Sequence, residues 1–312
     1  MIKTDKREPA DFIRPLIING LRGRVLTIPP IKKTAKREIL LVYGSHASLE
    51  RMFGVTENMA EYGTVTMPDL PGFGGMDSFY KLKEKPSLDN LADYLATFIK
   101  LTYKKRQITI GAMSLGFLIV TKMLQKYPEL SKQVDILISI VGFTNKDDFR
   151  FKRKTYLLFR WGSSMCSNYV MSTIAKYLVL RGPIIRATYN FVADKHVKMK
   201  DANEVERNKR IDFEINLWKC NDIRTYMDTT ITMMTVDLTN KIINLPLLHI
   251  SVDADQYFYK QKVEDHLKKI FISVVVYKAK MTNHAPTVIG DAESAKDLIP
   301  KEIRKILARI PS

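Results

Sequence analysis

At 312 residues the chain can bury one large core with an insertion. Its two cysteines, Cys166 and Cys220, exclude a disulfide framework, and the polar start Met1 to Pro9 and the lack of any apolar run near the roughly 20 residues of a bilayer span point to a cytoplasmic protein. The formal charge of +17 favours anionic surroundings, whether nucleic acid, anionic lipid or acidic metabolites.

The spacing predicts a β-hairpin first, Phe12 to Ile18 and Leu21 to Ile28, joined by Asn19-Gly20, the dipeptide best suited to a tight hairpin turn. Lys32 to Arg37 is a basic connection, and Ile39 to Tyr43 is a continuous apolar run, as in a strand covered on both faces. That strand ends at Gly44-Ser45-His46. A helix is expected from Ser48 to Tyr62, with Ser48 as N-cap and Leu49, Phe53 and Met59 on one side. A short strand, Thr64 to Met67, leads into Pro68 to Asp77, whose glycines do not match a dinucleotide fingerprint; a structured turn above the sheet is expected. Ser87 caps a helix to Tyr103 with a stripe of Leu88, Leu91, Leu95 and Ile99.

The strand from Gln107 to Ile110 runs into Gly111-Ala112-Met113-Ser114-Leu115-Gly116 and then a buried helix ending near Tyr127-Pro128. Strand, sharp turn and helix are what a serine nucleophile requires. The strained turn lifts the hydroxyl clear of the sheet, and small residues on either side, here Ala112 and Gly116, let strand and helix pack closely. The first N–H of the helix, that of Leu115, lies where an oxyanion forms.

Val134 to Val141 is a further buried strand, and the alternation of strands and helices argues for a mostly parallel sheet with helices on both faces. The rhythm stops near Phe143 and resumes near Leu245. The division expected is a core of residues 1–143 and 245–312 and an inserted helical cap of residues 144–244. Pro246 to Val252 and Ile272 to Tyr277 are strands, Tyr257 to Lys269 and Asp297 to Ala308 helices. From Phe149 to Ala193 there is no Asp or Glu, while Arg150, Lys152, Arg153, Lys154, Arg160, Lys176, Arg181 and Arg186 are basic. That face could meet anionic lipid headgroups, or it reflects a lysine-rich composition alone.

A serine hydroxyl needs a base, and a histidine serves best when a carboxylate orients it. His249 alternates within a strand and reads as core, while His196 and His266 sit in polar helical sequence and read as surface. His46 follows a strand end and could line the pocket. His284 lies in Met281 to Pro286, just after the last strand, at the sheet edge where ligands of open α/β sheets bind, and it is the candidate base. The preceding strand end offers Asp253 and Asp255; Asp255, further into the loop, is the candidate acid and Asp253 its alternative.

With these residues in place, the chain resembles the α/β-hydrolase superfamily over nearly its whole length, in the order nucleophile, acid, histidine. The resemblance implies that Ser45 supplies a second oxyanion N–H, that Asp69 to Gly74 forms the family's Asp-x-Pro-Gly-x-Gly turn, and that Asp255 is the triad acid. It departs from the pattern at Tyr43 (usually His), Ala112 (usually Gly) and Asn283 (often Gly). Dehalogenases and epoxide hydrolases of the family carry Asp where this chain has Ser114, so the expected chemistry is carboxylic-ester hydrolysis, with no metal or organic cofactor. Tyr156, Leu157, Phe159, Trp161, Tyr177 and Leu178 could line an acyl pocket. The same groups could serve acyl transfer or thioester cleavage. Other classes to weigh are an inactive scaffold for ligand or partner binding and a nucleic-acid binder; no nucleic-acid motif supports the last.

Overall fold

The computed structural model describes residues 7–192, 203–253, 255–280 and 292–309. Among them is an eight-stranded sheet in the order β1-β2-β4-β3-β5-β6-β7-β8. After a short helix, α1 (Pro9–Phe12), β1 (Ile13–Ile18) and β2 (Leu21–Ile28) pair antiparallel. Asn19 and Gly20 both take positive φ, 50° and 78°, as the hairpin turn demands. β2 runs antiparallel to β4 (Gly63–Pro68), and from there β3 (Arg37–Val42), β5 (Ile108–Met113), β6 (Val134–Ile140), β7 (Ile243–Ser251) and β8 (Phe271–Lys278) are parallel. β5 is buried along its whole length, and Thr109, the one polar side chain in it, donates its hydroxyl to Asp135 Oδ1 (2.7 Å).

Two expected helices form differently. The one after β3 is α2 (Phe53–Met59), with Met52 and not Ser48 at its N-cap. Residues 49–52 form a turn closed by Met52 N–H to Leu49 O (3.2 Å), because Ala47, Ser48 and Leu49 are drawn into the core and the backbone must bend to bury them. The closing helix is split into a 3-10 turn at Lys296–Leu298 and the helix Lys301–Leu307, with Pro300 at the break, where a missing N–H stops the ladder.

The remaining elements follow expectation closely. α3 (Leu88–Tyr103) has Ser87 Oγ accepting from Asn90 N–H at 3.1 Å, and its Leu88, Leu91, Leu95 and Ile99 stripe is buried. α4 (Leu115–Lys126) buries Phe117, Leu118, Ile119, Val120, Met123 and Leu124, a burial that stabilises by roughly 1.5–3 kcal/mol per side chain. Between β6 and β7 the chain is helical: α5 (Arg153–Cys166), α6 (Tyr169–Ile174) continuing into a π-turn at Ala175–Val179, α7 (Gly182–Val192), α8 (Glu204–Cys220) and α9 (Ile223–Thr235). A small apolar cluster of Ile185, Ile211 and Ile215, backed by Leu180, Tyr189 and Trp218, joins α7 to α8 apart from the main core. α10 (Lys260–Ile270) leads into β8, and α11 (Ala292–Ala295) and α12 (Lys301–Leu307) follow it.

Strand order reverses at β3. The chain leaves β3 for β4 on one side and later enters β5 on the other, so the crossover helices diverge and leave a crevice at the carboxyl ends of β3 and β5.

Candidate active site

β3 and β5 end in register, Val42 opposite Ala112, and two residues further each chain crosses the crevice, at Gly44 and at Ser114. Ser114 has φ 48° and ψ −117°, a conformation that L residues seldom adopt. It is held by its N–H to Ile140 O (3.2 Å) on β6, and its carbonyl accepts from Phe117 and Leu118 N–H in the first turn of α4. Gly116 is required by the same turn. A Cβ there would lie under 3.0 Å from the backbone oxygens of Val42 and Tyr43, so only glycine lets α4 seat on β3.

Backbone strain gathers at this sheet edge. His46 after β3 (φ 52°), Ser114 after β5 (φ 48°) and Val141 after β6 (φ 44°) are all non-glycine residues at positive φ, and a β-branched Val there is costly. Such outliers persist where surrounding structure over-determines them, and they concentrate at functional sites.

The loop after β3 lies over Ser114. A Cβ on Gly44 would stand 3.1 Å from Ser114 Cβ. The next residue, Ser45, has a buried hydroxyl oxygen that meets no hydrogen-bond partner among the described residues. Leu115 opens α4, and so its N–H has no acceptor within the helix. Of the two expected oxyanion residues, Leu115 directly follows Ser114 and Ser45 directly follows the Gly44 that packs on it.

His46 faces the inserted helices. Its Nε2 lies 3.3 Å from Glu214 Oε2, its Nδ1 lies 3.3 Å from Asn221 Nδ2, and its ring meets Trp218 at a tilt (centroids 4.4 Å apart) and Tyr226 edge-on (5.4 Å). Glu214 on α8 is only 1% exposed and also accepts from Tyr189 OH at 3.4 Å. The α8–α9 junction rests on the glycine turn: Gly74 N–H donates to Asn221 Oδ1 (2.8 Å), Gly75 N–H to Cys220 O (2.9 Å) and Asp222 N–H to Gly72 O (2.8 Å). Sequence reasoning missed Glu214, Trp218 and Asn221. Apolar and polar residues are mixed around α8, so nothing in its spacing marks Glu214 as the buried carboxylate; the one local signal is Asn221-Asp222, a break between helices whose Asp222 caps α9.

Beneath the site, Asp69 is fully buried. It accepts from Arg24 Nε (2.9 Å) and Tyr43 OH (3.0 Å), and Leu70 N–H donates to the same Tyr43 oxygen (2.7 Å). Burial pushes the Asp69 carboxyl up to about 7 against the pull of Arg24. The tyrosine that departs from the family pattern thus ties β3 to the glycine turn.

Asp255 and Asp253 part company. Asp255 is 7% exposed, its Oδ1 accepting from Tyr257 N–H (2.8 Å) and Phe258 N–H (3.2 Å), while Arg150 Nη1 donates to its carbonyl (2.8 Å). Asp253 points to solvent between Lys260 (3.4 Å) and Lys278 (3.1 Å), which hold its carboxyl below the usual range. The cavity beside Asp255, lined by Val141, Gly142 and His249 among others, has a volume of about 20 Å³, room for a water and not for a substrate.

His284, Asn283 and the rest of the loop from Met281 to Pro286 lie outside the described residues, as does His196. His249 is core as expected, its Nδ1 2.9 Å from Ser139 Oγ, and burial lowers it to about 4. His266 corrects the surface expectation: its Nδ1 lies 2.6 Å from Oδ1 of the fully buried Asp148, which also accepts from Thr144 and Asn145 N–H, so the imidazole ties α10 to the root of the insertion. Most of the side chains expected to line an acyl pocket face outward. Trp161 is 64% exposed, and Leu157, Tyr177 and Leu178 likewise face solvent, because α5 and α6 turn other residues inward. Tyr156 does point inward, its OH donating to Met234 O, and Phe159 stacks on Phe151 (5.5 Å). The indole that packs on His46 is Trp218.

No protein-family model matches this chain, and no curated protein matches it in sequence. Solved structures do. An esterase from Exiguobacterium antarcticum superposes with a TM-score of 0.65 at 14% identity over 94% of this chain and 97% of that one. An enol-lactonase from Burkholderia xenovorans LB400 does so with a TM-score of 0.64 at 11% identity, over 95% and 100%. An epoxide hydrolase from Bacillus megaterium gives 0.63 at 12% identity, over 94% and 98%. At these identities the likeness is one of fold.

Proposed function

This chain has the α/β-hydrolase fold, and on that premise we propose that it is a serine hydrolase that cleaves carboxylic esters through an acyl-enzyme. The observation that carries the reading is Ser114, held at φ 48° between a buried strand and a buried helix with glycines 44 and 116 packed around it. Among the structural neighbours are an esterase and an enol-lactonase, both ester-cleaving by name. Ser114 stands where the superfamily resemblance implies Asp for an epoxide hydrolase, which favours ester over epoxide chemistry.

In the proposed reaction Ser114 Oγ attacks the ester carbonyl while His284 takes its proton and Asp255 steadies the imidazolium. The N–H groups of Ser45 and Leu115 hold the oxyanion, the alcohol leaves with the proton from His284, and water activated by His284 then releases the acid. The helices between β6 and β7 act as the cap, with Trp218 and His46 over the acyl site. Asp255 is favoured over Asp253 because it is buried and fixed by two N–H donors, whereas Asp253 is engaged by lysines in solvent.

A fluorophosphonate probe and a chain-length series of nitrophenyl esters test this. Wild-type protein labels and turns over esters; Ser114→Ala and His284→Ala abolish both, and Asp255→Asn lowers turnover by at least about 10³-fold while Asp253→Asn leaves it intact. Undiminished labelling of folded Ser114→Ala, or no labelling of the wild type, refutes the assignment.

A further inference from the structure

α5 and α6 are amphipathic the wrong way round for helices that serve only to close a core. Among the described side chains the buried residues are Ser163 on α5 and Ser172 on α6, while the solvent face carries the large apolar groups. On α5, Lys154, Leu158, Trp161 and Met165 recur at i, i+4, i+7 and i+11 and form one exposed stripe. Val170, Ile174 and Tyr177 continue it along α6 and the π-turn, and Phe191 at the end of α7 is 91% exposed. Exposed apolar surface on this scale marks an interaction site.

The charge on the same face narrows the partner. Lys152, Lys154, Arg160, Lys176 and Arg181 are exposed around the stripe, with no acidic side chain at ion-pair distance among the described residues; Arg186 does pair with Asp212. The stretch from Phe149 to Val192 contains no Asp or Glu at all. A second copy of this chain would set these cations against themselves. An anionic bilayer matches both features, since headgroups attract the cations while the rings and aliphatic chains enter the acyl boundary. No helix of the described residues is long and apolar enough to cross a membrane.

We infer that the outer face of α5, α6 and α7 docks peripherally on anionic phospholipid bilayers. The substrate clause rests on the ester-hydrolase reading above: esters of membrane lipids then reach Ser114 from the docked face.

Co-sedimentation of the full chain with phosphatidylcholine vesicles and with mixed phosphatidylcholine–phosphatidylglycerol vesicles tests docking independently of catalysis. Binding to the anionic vesicles exceeds binding to neutral ones at least about tenfold at low salt and weakens as salt rises. Lys152→Glu with Lys154→Glu, and separately Leu158→Ser with Ile174→Ser, each lower it about tenfold or more, and the charge pair leaves hydrolysis of a soluble short-chain ester unchanged. In Trp218→Phe protein, the emission of Trp161 moves to the blue on binding. Ser114→Ala binds vesicles like wild type, which separates the fate of this proposal from that of the catalytic one. Equal partitioning onto both vesicle types, loss of neither variant's binding, or salt-sensitive retention on RNA with no shift of Trp161 emission overturns it, as does a concentration-dependent dimer that Leu158→Ser with Ile174→Ser dissociates.

Discussion

Gly44 is packed on Ser114 so tightly that a Cβ added to it would stand 3.1 Å from the serine Cβ, 3.3 Å from Met113 O and 3.8 Å from the serine Oγ. Those separations are crowded without being prohibitive, and they fall on the approach to the hydroxyl. Gly44→Ala should therefore fold with a loss of about 1 kcal/mol or less and yet lower ester turnover, on the order of tenfold to a hundredfold. Parallel urea unfolding and steady-state kinetics check this. Full activity in the variant removes Gly44 from the site.

Gly116 responds differently. Its added methyl meets backbone oxygens of Val42 and Tyr43, which cannot rotate away as side chains can. Gly116→Ala should cost about 2–4 kcal/mol, or prevent folding, as α4 is pushed off β3. A denaturation midpoint equal to that of the wild type contradicts the close seating.

Tyr43→Phe probes the tie beneath the site. Without the phenol, Asp69 Oδ1 loses a donor and Leu70 N–H an acceptor, both buried. The expected cost is about 1–3 kcal/mol, with ester hydrolysis retained, since the group acts on the glycine turn and not on substrate. A calorimetric melt of the purified variant measures it.

His249 sets a pH dependence. Its imidazole is buried and lowered from 6.5 to about 4, first by burial and then by Lys260. The unfolded chain therefore binds a proton that the folded one refuses, and stability is present above 6.5 and lost as pH falls toward 4, by roughly 3 kcal/mol. His249→Gln removes the titrating group and should flatten this part of the stability–pH curve measured by urea unfolding. A slope unchanged in the variant assigns it to other groups.

Much of the scaffold was legible because short-range rules governed it. Asn19-Gly20 admits the turn a hairpin needs, Ser87 caps α3, and the strand through Ile39 to Val42 announces itself as a continuous apolar run. The expectation failed where burial overrode local preference. Ser48 reads as a cap, but the core takes Ala47, Ser48 and Leu49 and delays α2 to Phe53. His266 reads as solvent-facing on a polar helix, yet the buried Asp148 reaches it. The aromatic blocks of α5 and α6 read as a pocket, because composition cannot tell which side of a helix faces inward when both neighbours are unknown.

The sequence by itself determined the order of strands and helices, the small residues around Ser114 and the acid-free basic stretch, since each is a property of residues close together in the chain. Only the tertiary structure decided that Gly44 overlies Ser114, that Asp255 is buried while Asp253 is not, that Glu214, Trp218 and Asn221 gather on His46, and that Trp161 faces outward. These depend on strand order and helix rotation. Both are fixed by the sum of many weak contacts between distant segments, and no single stretch of residues encodes that sum.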